Sequence, residues 1–386
     1  MLRVAIIGCG KIADQHVQAI QRIPGSEIVA VCDREMLMAG QLAERFKIAG
    51  VFSETLEMLR TVSPDVVHIT TPPQGHFPLA KQCLEAGCHI YLEKPFTVTA
   101  AEAKELVTIA ENRKLNVTAG HNYQFTLEMM EMRRLVAAGF LGGEPVHVES
   151  YWSYDLSDAS YVGPILGNKT HWVRQLPGQL FHNLISHGIA RLAEFLDDDV
   201  EINAYAHQSE RLGSLGGHEV QDELRVFLRD GKSTTAFFCF STQIKPGLNC
   251  LRLCGPTNSV VVDQNSGSLL RLENKPCKSY LTYFLPPLRF ARQYLRNARV
   301  NIINFLRGRL HQDFGMKELI ERFYDSIRAG GALPIPYREI ILTARIMDEI
   351  FSQICKGETK AWPARTNRDQ IDLSVNDAPS VQATIH

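Results

Sequence analysis

The fold is decided by residues 4–13, which read Val4-Ala-Ile-Ile-Gly-Cys-Gly-Lys-Ile-Ala13. An apolar run ends at Gly8, and a helical pattern follows to about residue 23. In this G-x-G-x-x-A turn, Gly8 permits a tight bend, Gly10 lets the backbone approach a pyrophosphate, and Ala13 allows the helix to pack on the strand. The free N–H groups of Lys11 and Ile12 at the helix start favour phosphate. The stretch predicts a dinucleotide-binding turn, with a ligand-free tight turn as the alternative.

Working outward, strand and helix patterns alternate strictly through the first 120 residues. Apolar strand runs lie at 27–32, 65–71, 88–92 and 116–120, and amphipathic helical patterns lie at about 35–46, 76–86 and 100–112. Such alternation predicts an α/β fold, here an N-terminal Rossmann domain with a doubly wound parallel sheet.

An acidic residue stands where this motif requires one. Asp33 closes the second strand, about 20 residues beyond the glycine turn, where a carboxylate binds ribose hydroxyls. A 2′-phosphate would meet like charge there, so the sequence favours NAD. The adjacent Arg34 could pair with that phosphate, and NADP stays open as the alternative.

The second half of the chain is richer in strands. Alternating runs occur at 146–152, 201–208, 220–228, 249–254, 260–263 and 268–273, and Asp230-Gly231 is a hairpin signal. They predict a C-terminal α+β domain with an open, largely antiparallel sheet. We place the domains at 1–121 (dinucleotide binding) and 122–356 (substrate and oligomerisation), with a tail at 357–386. A free sheet face favours a homo-dimer or homo-tetramer.

A helical pattern at 178–195 carries polar residues on one face. Asn183 and His187 are four residues apart, with Ser186 beside them. Amide, imidazole and hydroxyl groups favour a cleft-facing surface. A solvated helix with a hydrogen-bonded core histidine is an equally good interpretation from the helix alone.

The composition excludes several classes of protein. Lys plus Arg number 41 and Asp plus Glu 42, so the net charge of -1 argues against a general nucleic-acid binder. The nine cysteines contain no Cys-x-x-Cys pair and no zinc-site spacing. We therefore expect reduced thiols, no metal and a cytoplasmic protein, because the chain also shows no signal peptide or membrane span.

One segment stands apart by its charge. Residues 274–312 contain eight Lys and Arg, no acidic residue, and many interleaved apolar side chains. The pattern predicts a basic amphipathic helix within an insertion at about 275–312. A subunit contact with a solvated basic face is one interpretation. Docking on an anionic membrane or a lipid-linked substrate is the other.

Together these motifs resemble the Gfo/Idh/MocA family of nicotinamide oxidoreductases. The resemblance rests on the glycine turn, Thr70-Thr-Pro-Pro-x-x-His76, Glu93-Lys94-Pro95, Gly120-His-Asn-Tyr123, the Asn183/His187 helix and Phe323-Tyr-Asp-Ser-Ile-Arg-x-Gly330. It implies a Rossmann domain, a second α/β domain with an open sheet, and an oxidoreductase acting on a secondary alcohol of a sugar, nucleotide-sugar or cyclitol.

The resemblance also implies roles for individual residues. Lys94 and His187 correspond to the family's catalytic pair and would also bind substrate. The implied cofactor contacts add Thr70, Thr71, Pro72, His76, Glu93 and Asn122 to the glycine turn, Asp33 and Arg34. The implied substrate contacts add Tyr123, Trp172, Arg174 and Asn183. The family usually has Asp where this chain has Asn183, and an amide cannot take a proton.

The reaction expected from these residues is hydride transfer between a carbinol and nicotinamide. His187 is the expected general base, since histidine titrates near neutrality. Lys94 could act as the base instead if burial lowers its pKa, and a salt bridge with Glu93 is its structural alternative. Two other functions stay open: an NAD-dependent glycosidase using transient oxidation, and a non-catalytic NAD-binding regulator.

Overall fold

The computed structural model describes residues 1–156, 159–214, 219–232, 234–310 and 314–355. The expected tail at 357–386 and the last two residues of the basic insertion lie outside these ranges. Within them, no helix is long and apolar enough to cross a membrane.

The first domain is a three-layer α/β structure. Its strands are β1 (Leu2–Ile7), β2 (Ser26–Cys32), β3 (Gly50–Phe52), β4 (Val66–Ile69), β5 (His89–Leu92) and β6 (Val117–Ala119). Its helices are α1 (Lys11–Ile20), α2 (Met36–Phe46), α3 (Thr55–Val62), α4 (His76–Glu85) and α5 (Ala100–Arg113). All strand pairs are parallel, in the order β3-β2-β1-β4-β5-β6. The prediction of a doubly wound Rossmann sheet is confirmed.

The strand order brings the chemistry to one edge of the sheet. β1 and β4 are neighbours although they are far apart in sequence, so their carboxyl ends form the crevice where the strand order reverses. The glycine turn follows β1, and the Thr70-Thr71 loop follows β4. This crevice is where such folds bind dinucleotides.

The second domain is built on a seven-stranded sheet. Its strands are β7 (His147–Ser153), β8 (Val200–His207), β9 (Glu223–Asp230), β10 (Thr235–Ser241), β11 (Cys250–Cys254), β12 (Ser259–Asp263) and β13 (Ser268–Leu272). Their order is β13-β12-β11-β7-β10-β9-β8, and only β7 and β10 pair in parallel. This confirms the open, largely antiparallel sheet. β9 and β10 form the hairpin that Asp230-Gly231 predicts.

More helices accompany this sheet than the strand pattern suggests. They are α6 (Leu127–Ala137), α7 (Ala159–Gly167), α8 (Gln179–Leu184), α9 (Ser186–Ala193), α10 (Glu210–Ser214), α11 (Leu285–Leu306), α12 (Phe314–Ala329) and α13 (Tyr337–Cys355). The single helix expected at 178–195 is two helices, α8 and α9, which meet at Ile185.

Helix α12 joins the core of the first domain. Met316, Leu319, Ile320 and Phe323 are buried together with residues of β1, β4 and β5. The first core therefore includes a segment from the far end of the chain. The middle part of α13 packs into the second core, where Ile346, Ile350 and other residues are buried.

Candidate active site

The glycine turn has the geometry that its sequence predicts. Gly8 has φ +96°, and a Cβ atom built on it would lie 2.8 Å from the backbone nitrogen of Thr71. Gly10 is the N-cap of α1, and a Cβ atom there would meet nothing within 4 Å. Gly8 is therefore required by the fold, whereas Gly10 keeps space open in front of the helix.

A cleft of about 920 Å³ opens at this edge of the sheet. From the first domain it is lined by seven of the residues predicted to bind cofactor: Gly8, Gly10, Asp33, Arg34, Thr70, Thr71 and Pro72. The second domain contributes Thr170, Trp172 and Gln175. The amide of Gln74 donates a hydrogen bond to the carbonyl of Trp172 at 2.8 Å, so the two domains are joined across the cleft.

The backbone holds Asp33 at the end of the cleft formed by β2. Its carboxylate accepts hydrogen bonds from the N–H of Cys9 at 2.7 Å and of Glu35 at 3.0 Å. Glu35 and Glu54 line the same end of the cleft, and Arg34 is exposed there. This end of the cleft is acidic, because it has the three carboxylates of Asp33, Glu35 and Glu54 and one guanidinium, that of Arg34.

Six buried side-chain oxygens have no hydrogen-bond partner within the described part of the chain, and two of them belong to residues predicted to bind cofactor. These two are Thr71 Oγ1, in the cleft wall, and Asn122 Oδ1, at the start of the single helical turn Asn122–Phe125. A buried polar atom without a partner is costly, and such atoms at a cleft indicate a ligand that satisfies them. With the space at Gly10 and the free N–H groups of α1, they fit a dinucleotide.

Lys94 reaches the second domain. It follows β5, and its Nζ donates a hydrogen bond to the carbonyl of Asn183 at 3.0 Å. This carbonyl is close to the break between α8 and α9, and His187 lies in the first turn of α9. Burial lowers the pKa of Lys94, and the negative charge of Glu93 partly opposes this. The lysine therefore lies at the domain junction, beside the helix that carries the histidine.

His187 lies in an aromatic pocket. Its ring centroid is 4.7 Å from that of Tyr123, 5.5 Å from that of Trp152 and 6.0 Å from that of His121. Its Nδ1 is buried without a hydrogen-bond partner among the described residues. Burial lowers the pKa of His187 well below its usual value, and Lys94, His121 and Arg191 lower it further. The imidazole is therefore neutral and able to accept a proton.

Arg191 is a fully buried cation one turn after His187 in α9. Its guanidinium donates to Gln264 at 2.6 Å and to Ser150 and the Tyr151 carbonyl at 3.0 Å. It also lies 5.0 Å from the ring of Trp152. Burial lowers its pKa to about 10, so it stays charged near neutral pH. Its positive charge helps keep His187 unprotonated.

A buried chain of hydrogen bonds supports the residue before Lys94. Glu93 Oε1 lies 2.9 Å from His16 Nε2, and the two histidine Nδ1 atoms, of His16 and His68, are 2.8 Å apart. His68 Nε2 is 2.8 Å from the hydroxyl of Tyr324 in α12. Burial would raise the pKa of Glu93, but its hydrogen bond with His16 and the charge of Lys94 lower it. Every member of this series can then have a partner if Tyr324 donates to His68, His68 to His16, and His16 to Glu93.

These hydrogen bonds argue against the alternative interpretation of Lys94, which was a salt bridge with Glu93. The Glu93 carboxylate accepts from His16 and from the backbone N–H of Lys94 at 3.1 Å. The Lys94 ammonium instead donates to Asn183. Glu93 thus contacts the interior of the first domain and not the cleft.

Several other predicted residues lie outside the cleft wall. His76 is buried, and its ring nitrogens are 2.9 Å from the carbonyls of Pro95 and Thr71, so it braces the two loops that border the cleft. Arg174 donates to the carbonyl of Leu166 and to Glu219. Lys11 is exposed at the start of α1, Ile12 is half-buried, and Ala13 is packed in the core.

Sequence reasoning missed three side chains around His187. His121 was within a recognised motif, but nothing in the sequence says that its ring faces His187. Trp152 ends an alternating strand run, and Arg191 is four residues after His187 in the helical pattern. The i, i+4 spacing was the available signal for Arg191, although a surface arginine has the same spacing.

The fold and the cleft together define a two-domain protein with a Rossmann dinucleotide site at the domain junction. Residues 2–121 match a family model described as oxidoreductase family, NAD-binding Rossmann fold. The first domain therefore matches the Gfo/Idh/MocA oxidoreductases, and the description of that family indicates a nicotinamide dinucleotide as the ligand of this fold.

Individual relatives match parts of the chain. D-glucoside 3-dehydrogenase of Escherichia coli (strain K12) is 38% identical over 144 residues, which are 36% of this chain and 40% of that protein. A glycosyl hydrolase family 109 protein of Streptomyces filamentosus is 27% identical over 210 residues, 51% of this chain and 41% of that protein. The matches thus span about two fifths of these relatives.

A solved structure matches over nearly the whole chain. The WlbA dehydrogenase from Bordetella pertussis, in complex with NADH and UDP-GlcNAcA, superposes with a TM-score of 0.73. It covers 92% of this chain and 96% of that one at 17% identity. This likeness shows that both domains and their connection share one fold.

Proposed function

We propose that this protein transfers hydride between a nicotinamide dinucleotide and a secondary alcohol of a sugar-like molecule. The observation that supports this most directly is the hydrogen bond from Lys94 to the helix turn that precedes His187. A hydrogen bond joins Lys94 to Asn183, one turn before His187, and the lysine charge lowers the histidine pKa. An acid–base pair of this kind serves alcohol oxidation, because the hydroxyl proton must leave with the hydride.

Each residue has a distinct role in this proposal. His187, held neutral by its surroundings, accepts the hydroxyl proton during oxidation and returns it during reduction. Lys94 donates a hydrogen bond to the same oxygen and stabilises its developing negative charge. Tyr123, which is 37% exposed beside the imidazole, provides an aromatic face on which a pyranose or cyclitol ring can stack. The bound nicotinamide supplies the hydride acceptor or donor.

We propose NAD as the preferred cofactor. The acidic end of the cleft, with Asp33, Glu35 and Glu54, would repel a 2′-phosphate. Arg34 is the only cation among the residues that line this cleft, and it opposes three carboxylates.

We propose a glycoside, nucleotide-sugar or cyclitol as the substrate. The name of the Escherichia coli relative, a D-glucoside 3-dehydrogenase, supports oxidation at a ring carbinol. A panel of glucosides, UDP-sugars and inositols, assayed with NAD and with NADP by nicotinamide absorbance, identifies the class. Turnover with none of them in either direction would contradict the proposal.

The catalytic pair is tested by Lys94→Met and His187→Gln. We expect loss of His187 to reduce kcat by about 10²–10⁴-fold, the usual contribution of a positioned base. Lys94→Met should reduce kcat at least as much, while NADH binding measured by fluorescence stays close to that of the parent. The exposed Lys104 and His207 provide matched controls, as Lys104→Met and His207→Gln. Near-normal turnover in both active-site variants would refute the assignment.

A transient-oxidation glycosidase is the second candidate. The matches to glycosyl hydrolase family 109 proteins favour it, because they span 51% of this chain, whereas the D-glucoside 3-dehydrogenase match spans 36%. Such an enzyme would hydrolyse an aryl glycoside with no net change in nicotinamide absorbance. Release of the aryl group without added NAD would favour this candidate over a dehydrogenase.

A further inference from the structure

Helix α11 is the most exposed long element among the residues described. It runs from Leu285 to Leu306, and none of its 22 residues is buried. One polar stripe holds it to the edge of the second sheet. Gln293 exchanges hydrogen bonds with the backbone of Arg271 at 2.8 and 3.1 Å, and Asn297 donates to the carbonyl of Leu269 at 2.9 Å. Among the described residues, the α11 side chains that hydrogen-bond to the sheet all lie on this stripe.

An apolar stripe runs along the side that faces away from the sheet. Leu288, Leu295 and Ile302 recur every seven residues, and they are 58%, 71% and 61% exposed. At 100° per residue, this stripe lies more than a quarter turn from the amides that contact β13. Ala291, Ala298 and Phe305 widen it. The aromatic residues Tyr280, Tyr283 and Phe284, all exposed, precede the helix.

An arginine stripe borders the apolar one. Its members are Arg289, Arg292, Arg296 and Arg299, and Arg307 and Arg309 follow the helix. None of these six has an ion pair with another residue that the structure describes, and residues 274–310 contain no Asp or Glu. The rest of the chain carries the compensating negative charge, so the positive charge is concentrated on this one surface.

We propose that α11 docks the protein on an anionic membrane surface, lying in the plane of the interface. The apolar stripe would enter the boundary between headgroups and acyl chains, and the arginines beside it would contact lipid phosphates. Arginine suits this role because its guanidinium binds phosphate in a bidentate manner.

The charge pattern favours a bilayer over a second copy of the chain. The seven-residue spacing alone would also suit a helix pair. In such a pair, however, arginine stripes from two copies would approach each other with no carboxylate on either helix to offset them. An anionic surface has the opposite charge and also receives the apolar side chains.

The docking helix is close to the proposed active site. Asn301 donates to the carbonyl of Ser266 at 3.0 Å, in the turn between β12 and β13. Gln264, in the same turn, contacts Arg191 and donates to the Tyr123 carbonyl at 2.8 Å. A membrane-bound α11 would therefore place the sugar pocket near the lipid surface.

The test is co-sedimentation of the full chain with vesicles of phosphatidylcholine, with and without phosphatidylglycerol. We expect binding to the anionic vesicles, weakened by high salt because exposed charges are screened. Replacing two arginines, as Arg292→Gln with Arg299→Gln, should lower the partition coefficient roughly 30-fold, since each basic side chain near an anionic surface contributes about a factor of five. Leu295→Ser with Ile302→Ser should also release the protein.

Matched controls lie on the first domain. Arg60→Gln with Lys104→Gln removes two exposed cations, and Leu37→Ser removes a leucine that is 73% exposed. These variants should bind vesicles like the parent. Equal binding by the α11 variants, or no binding to anionic vesicles at low salt, overturns the proposal. So does a vesicle-free dimer in light scattering that the α11 substitutions dissociate, because the stripe would then be a contact between copies. Sedimentation needs no turnover, so the result is independent of the proposed function.

Discussion

At the scale of single residues, the charges around His187 determine whether its imidazole is protonated. The positive charges of Lys94 and Arg191 both lower the pKa of His187, and His121 is a buried ring whose own pKa burial lowers to about 4. Protonating His187 would add a third positive charge to a desolvated pocket. The neutral form is therefore favoured, which suits a base in the oxidative direction.

The pH dependence of oxidation tests this arrangement. A neutral His187 is required to accept the proton, so kcat/KM should fall as pH decreases through the depressed histidine pKa. Arg191→Gln removes one repelling charge, which raises that pKa and moves the acid limb of the profile to higher pH. Arg191→Lys keeps a cation and should leave the limb closer to that of the parent. An identical limb in the parent and the Gln variant would show that Arg191 does not influence the histidine.

At the scale of elements, the two glycines of the turn between β1 and α1 are needed for different reasons. Gly8 is needed because the chain has a positive φ there and passes close to the loop after β4. Gly10 is needed only if a ligand approaches the helix start, because its own surroundings are open.

Alanine substitutions separate the effect of these glycines on stability from their effect on cofactor binding. Gly8→Ala should lower the free energy of unfolding by roughly 1–3 kcal/mol, because a side chain at this φ is strained and contacts Thr71. Gly10→Ala should leave the melting temperature nearly unchanged but weaken NADH binding roughly tenfold or more, because a methyl group would occupy the approach of the pyrophosphate. Thermal melts and fluorescence titration measure the two effects. Unchanged cofactor affinity in Gly10→Ala would mean that no dinucleotide approaches this turn.

At the scale of the whole molecule, the two domains are joined by packing and hydrogen bonds as well as by the connecting chain. Helix α12 returns to the first core, and Gln74 contacts Trp172 across the cleft. A series of hydrogen bonds connects α12 to the residue that precedes Lys94, through Tyr324, His68, His16 and Glu93. Helix α12 thus helps to hold Lys94, the proposed catalytic lysine, in position.

Removal of the Tyr324 hydroxyl tests this connection. Tyr324→Phe leaves His68 Nε2 buried without its donor, so the free energy of unfolding should fall by about 1–3 kcal/mol in urea denaturation. Tyr280→Phe, at a position 59% exposed, is the matched control and should have no measurable effect. Equal stability of both variants would indicate that water replaces the lost hydroxyl.

The parallel sheet of the first domain was predictable because its strands are buried on both sides and read as apolar runs. The exceptions were β3 and α3, which were not predicted from the sequence. β3 has three half-buried residues at the sheet edge, so it shows neither an apolar run nor an alternation. The break between α8 and α9 was also missed, since Ile185 keeps helical angles and the apolar period continues through it.

The amino-acid sequence by itself determined the Rossmann domain, its glycine turn and Asp33, because local spacing and strand–helix alternation specify them. It also determined the basic amphipathic segment, because charge and period are properties of the chain alone. Only the tertiary structure decided that Lys94 bonds to Asn183, one turn before His187, that Arg191 is buried against Trp152 together with that imidazole, and that Glu93 faces the interior with His16. These relations join residues far apart in sequence, and side-chain direction and desolvation follow from packing between the domains rather than from local pattern.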